Sequence, residues 1–114
     1  MKQTLAALAL AGIACSSLAA PRAQSPEECG IAADMAIVAR SLAHEAIQRA
    51  KADTIMQRIY DVKESERGQA LMQDILEAAY KDDPARSSQT FAEELLKTCM
   101  TSGGNMDLVL GKRL

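Results

Sequence analysis

Apolar residues along the chain recur mostly at helical spacing. The clearest run is Leu71, Met72, Ile75, Leu76 and Ala79, which repeats at i, i+1, i+4, i+5 and i+8 and so lines one face of an α-helix. That helix is predicted to start after Ser65, as its cap, and to stop near Lys81, because Asp83-Pro84 is a turn signal and the residue before a proline avoids helical angles. Phe91, Ala92, Leu95, Leu96, Cys99 and Met100 form a further stripe. It predicts a helix capped by Ser87 or Ser88, with Thr90 and Glu93 at capping-box spacing and Gly103-Gly104 as its stop.

Between Gly30 and Val62 there is neither glycine nor proline, yet a single long helix does not fit the pattern. Ile31, Met35, Val38 and Leu42 share one face, whereas Ala52, Ile55, Met56, Ile59 and Val62 share another, roughly 90° away at helical spacing. A break near His44 to Arg49 removes the conflict and predicts helices over about 28–43 and 50–62. Ser25, Pro26, Glu27 and Glu28 supply the start of the first one: a cap, a first-turn proline and acids at the positive end of the dipole.

The first residues, MKQTLAALALAGIACSSLAA, place Lys2 before an apolar run from Leu5 to Cys15 and then small side chains. This is the layout of a secretory signal peptide. Ser17 and Ala19 suit the cleavage positions, and a cut after Ala19 leaves Ala20 first, whereas a cut after Ala20 would place Pro21 next to the bond. The run is shorter than the roughly 20 residues of a spanning helix, so no stable membrane span is expected after cleavage. The rival reading makes GIAC a lipoprotein box acylated at Cys15, although Gly12 stands where such boxes usually carry Leu. The domain organisation expected is a signal peptide over 1–19, a disordered lead-in over 20–27, a helical domain over 28–104 and a C-terminal tail over 105–114.

Composition narrows the fold. Of 114 residues 48% are apolar, but only one Phe, two Tyr and no Trp are present, so a core must be built from Ala, Leu, Ile and Met. The expected class is all-α, a small bundle of four to five short helices with one disulfide. Without residues 1–19, which hold Lys2 and Cys15, twelve basic face fifteen acidic side chains and two cysteines remain, Cys29 and Cys99. Basic residues scattered among acids make nucleic acid an improbable partner class. In the periplasm, the localisation that export implies, two thiols usually pair. The alternatives are two free thiols or a redox couple, and a redox role has no CxxC behind it.

No catalytic constellation accompanies these features. His44 is the single histidine, GxSxG and glycine-rich phosphate loops are absent, and one His with two distant Cys has no zinc spacing. No enzyme activity, metal or cofactor is therefore expected. Met35, Met56, Met72, Met100 and Met106 suggest Cu(I) chemistry, but the first four fall on the apolar stripes and are read as core. Binding to a protein partner is the expected mode of action, with Ile37, Ile47, Leu108 and Val109 as candidate exposed contacts.

The Cys29, IVAR 37–40, Ile59-Tyr60 and LLKTC 95–99 pieces resemble a group of small exported proteobacterial helical proteins of unknown function with one Cys pair. That group commonly has a glycine near the break, where this chain has Leu42-Ala43-His44. The resemblance implies export and a helical domain over about 29–100. Two weaker likenesses carry over no residues: periplasmic acid-stress chaperones, and immunity proteins that neutralise periplasmic toxins. An envelope or stress-related helper is the leading expectation. An immunity protein and a metal or small-molecule carrier are the alternatives.

Overall fold

Ser25 opens the first helix: its backbone is extended and its hydroxyl accepts the Glu28 N–H at 3.2 Å, with Pro26 in the first turn. The computed structural model describes residues 21–111, and within them five helices follow in order. They are α1 Pro26–His44, α2 Arg49–Ile59, α3 Glu66–Lys81, α4 Ser88–Thr101 and the single turn α5 Asp107–Leu110, with no strand among the described residues. No described helix is long and apolar enough to cross a membrane. The signal-peptide assignment, its cleavage at Ala19-Ala20 and the acylation of Cys15 fall on residues outside the described ones.

Serines cap α3 and α4 as the sequence predicts, Ser65 accepting from Gly68 N at 2.9 Å and Ser87 from Thr90 N at 3.0 Å. The Thr90–Glu93 capping box does not form, because Thr90 itself sits in the first turn and is bonded by Ser87. The break after α1 falls where the two stripes disagree. Ala46 adopts φ +57°, Ala46 N donates to Ala43 O and Ile47 N to Leu42 O, each at 3.0 Å. This is a Schellman stop with alanine in the left-handed position that glycine usually fills.

α1 is the helix around which the others pack. It lies against α4 and α3, α2 crosses both α1 and α3, and α5 closes the ends of α3 and α4. Cys29 and Cys99 are joined, S–S 2.03 Å with Cα atoms 5.7 Å apart. At the other end of the same pair Ser41 Oγ donates to Ser88 Oγ at 3.1 Å, so α1 and α4 run antiparallel. Ala32, Ala36, Ala39, Ala52 and Ala79 are fully buried between Met35, Met56, Met72, Ile75, Leu76 and Leu95. Small side chains let the helices approach closely, and flexible methionines fill the irregular gaps that remain.

Four expectations are corrected. The lead-in over 20–27 is not disordered in its described part: Ala23 is fully buried and donates to Gly104 O at 3.2 Å. Arg22 is buried as well, bonded to Asp74 at 2.9 Å, Asp107 at 2.7 Å and Gly111 O at 2.8 Å. A guanidinium fork with three acceptors outweighs the local preference of a proline-rich segment for no structure. The tail packs back, with Met106 fully buried, and the helical domain therefore reaches beyond 28–104 at both ends. Met100 is 52% exposed, so Met106, not Met100, is the fourth core methionine. Ile31, Ile59 and Leu96, read as core stripe, also reach the surface.

Candidate functional site

A groove of about 500 Å3 lies between one flank of α1 and the segment that leaves α2. Ile31, at 47% exposure, and Ile59, at 52%, stand in it over buried Met35, and half-buried Val62 completes the apolar floor. A smaller pocket of about 140 Å3 shares Ile31, Met35 and Val62 and prolongs the groove toward Arg22 and Arg67.

Local sequence explains how this surface is built. The disulfide turns Cys29 toward α4, and at about 100° per residue Ile31 lies on nearly the opposite side of α1 from that cysteine. α2 ends at Ile59 because Tyr60 is extended, its N–H accepted by Met56 O, and Val62 N then donates to Tyr60 O. Gly68 lets this turn sit close to α3, since a Cβ there would lie 2.9 Å from Val62 Cγ1. A Cβ added at Gly30, on the groove wall, meets nothing within 4 Å, so no internal packing requires that glycine.

Polar groups rim the floor. The Tyr60 hydroxyl donates to Asp34 Oδ2 at 2.5 Å, which links the two walls. Burial, and secondarily the Asp34 carboxylate, push ionisation of Tyr60 well above the usual phenol range. Where the groove continues, Arg67 forks onto Glu28 at 3.2 and 2.9 Å and its Nη1 also donates to Arg22 O. The Arg67 hydrogen bond, and then the Gln24 N–H, hold the Glu28 carboxyl below its ordinary value.

The candidate contacts named from the sequence are not brought together. Ile37 and Leu108 are exposed, Leu108 at 89%, but on different helices away from this groove. Ile47 and Val109 are half-buried against the core, which corrects their reading as exposed contacts. Ile47 follows the left-handed Ala46, and its carbonyl accepts the Tyr80 hydroxyl at 2.6 Å. Val109 packs inward because the turn of α5 folds over the ends of α3 and α4.

His44 is exposed at the last turn of α1, its Nε2 3.0 Å from Arg86 O, and so ties α1 to the loop before α4. Arg40 is buried and donates to Ala79 O and Asp83 O at 3.2 and 2.7 Å, closing the end of α3. Its Nε lies 3.4 Å from Asp82 Oδ2, which also neutralises Arg86 at 3.5 Å. These groups hold elements together and face no shared cavity with the groove residues. Among the described residues no three His, Cys, Asp or Glu are arranged to hold a metal ion.

Ile31, Ile59, Tyr60 and Asp34 escaped the sequence reading as a site. Ile31 and Ile59 look like core at helical spacing, and only the direction of Cys29 tells the outer flank of α1 from the inner one. No protein-family model, curated protein or solved structure matches the chain.

Proposed function

We propose that this is an exported helical protein, working in an oxidising compartment such as the periplasm, that acts by binding another protein through the groove between α1 and the end of α2. The observation that supports this reading most is the pair of half-exposed isoleucines, Ile31 and Ile59, set over a shared apolar floor. Large aliphatic side chains left in water on a rigid, polar-rimmed surface favour a partner that covers them. The groove is open and shallow, whereas a small-molecule site encloses most of its ligand. An envelope or stress-related helper fits such a surface, since recognition there needs no catalytic group.

Photo-cross-linking in the producing cell tests it. A photoreactive residue at position 31 or 59 is expected to trap one discrete protein, and the same residue at exposed Gln89, on α4 and away from the groove, is expected to trap none. Equal labelling from all three positions, or none from any, contradicts the proposal.

A further inference from the structure

The charge lining the wide part of the groove has one sign. Glu27 and Asp34 on α1 and Asp61 beyond α2 line it, and no Lys or Arg does, although Arg58 and Lys63 are close in sequence. Neither the Glu27 nor the Asp61 carboxylate makes a hydrogen bond or ion pair among the described residues, and Asp34 receives the Tyr60 hydroxyl. Both arginines at the adjoining end are already engaged, Arg22 by Asp74 and Asp107 and Arg67 by Glu28. The wide part of the groove thus joins an apolar floor to carboxylates that have no internal cation.

Resting on the binding reading above, we propose that the occupant is a basic amphipathic helix of a partner protein. Its apolar face covers Ile31, Val62 and Ile59, while Lys or Arg on the flanks of that face meet Glu27, Asp34 and Asp61. Glu27 and Asp34 are seven residues apart, two turns of α1, so they stand on one flank about 10 Å apart along the axis. Basic residues two turns apart on a docked helix match that spacing. An extended peptide is the poorer occupant because the N–H groups of Tyr60, Val62 and Ser65 are bonded internally and the described residues offer no strand edge. The acidic rim also repels an anionic lipid surface, which directs the apolar floor to a protein instead of a membrane.

The experiment uses the oxidised mature chain and two synthetic 15-residue helical peptides with the same leucine face, one flanked by lysines and the other by glutamates. Fluorescence anisotropy at low ionic strength is expected to give the lysine peptide roughly tenfold tighter binding, since three partly solvated charge pairs each contribute modestly. The advantage is expected to shrink as salt rises. E27Q/D34N/D61N is expected to bring the two affinities within about twofold, and E27K/D61K, which changes only two exposed side chains, to reverse the preference. Equal affinities for the unaltered protein, or an advantage that survives both variants, overturn the proposal. So does stronger binding to phosphatidylglycerol vesicles than to the lysine peptide. If neither peptide binds while cross-links from position 31 persist, the basic-helix proposal falls and the binding reading stands; loss of those cross-links removes the binding reading itself.

Discussion

Arg22 is a buried cation with three acceptors, one on α3, one on α5 and one at Gly111, and it fastens both ends of the described chain to the bundle. Arg22→Ala is expected to lower unfolding stability by about 2 kcal/mol, read as a fall in the urea midpoint, because Asp74 and Asp107 lose a charged donor. Arg22→Lys is expected to recover less than half of that loss, since an ammonium cannot reproduce the planar fork. Nothing local in the APRAQSPE stretch announces this role; the partners lie 52, 85 and 89 positions away. The cysteine pair, by contrast, was legible, because Cys29 stands at the first turn of α1 and Cys99 on the apolar stripe of α4, so the two thiols meet once those helices are antiparallel neighbours.

The tyrosines give a pH prediction at the same scale. Burial raises the ionisation of both Tyr60 and Tyr80; a carboxylate adds to this at Tyr60, whereas Arg49 opposes it at Tyr80. A raised phenol pKa means that the folded state holds its proton more tightly than the unfolded state does. Their contribution to stability is therefore fully present below pH 10, the unfolded value, and is lost as pH rises above it. A titration followed at 295 nm is expected to show less phenolate at pH 10.5 in the native protein than in urea. Equal absorbance in both conditions contradicts the burial assigned to these rings.

At the scale of the element, most boundaries were legible, although α2 stops at Ile59 and not at the expected Val62 because Tyr60 turns extended, and faces were not. Ser25, Ser65 and Ser87 each accept an N–H three residues on, which is the chemistry that made them readable as caps. The break after His44 was placed by conflicting stripes and not by a stop residue, since Ala46 holds the left-handed position. Ala46→Gly is expected to stabilise the fold by roughly 0.5–1 kcal/mol, as the steric cost of alanine there exceeds the added freedom of the unfolded chain. A midpoint in urea that moves down instead would mean that this turn is not left-handed in solution. The outward placement of Ile31 was not legible from periodicity, because any apolar residue at helical spacing looks buried until a neighbouring helix is known. The buried face of α1 is rich in alanine, and its larger aliphatics Ile31 and Ile37 lie outside it. A hydrophobicity pattern weighted by size points the wrong way in such a helix.

At the scale of the molecule, a small core of Ala, Met and Leu is held by a link between its first and fourth helices. Joining residues 70 apart in sequence is expected to contribute about 4 kcal/mol by restricting the unfolded chain. Cys29→Ala/Cys99→Ala should lower stability by an amount of that order, a large share for a domain of this size, and calorimetry measures it. The groove depends on the same link, since the disulfide sets which flank of α1 faces α4 and which carries the groove. The proposal of an exported, stapled platform is tested most directly by intact mass of the chain recovered from its own cells, with and without reductant and alkylation. The expected result is a chain beginning at Ala20, lighter than its reduced form by two hydrogens and alkylated only after reduction. A chain that keeps residues 1–19 and carries freely alkylated Cys29 and Cys99 contradicts the account.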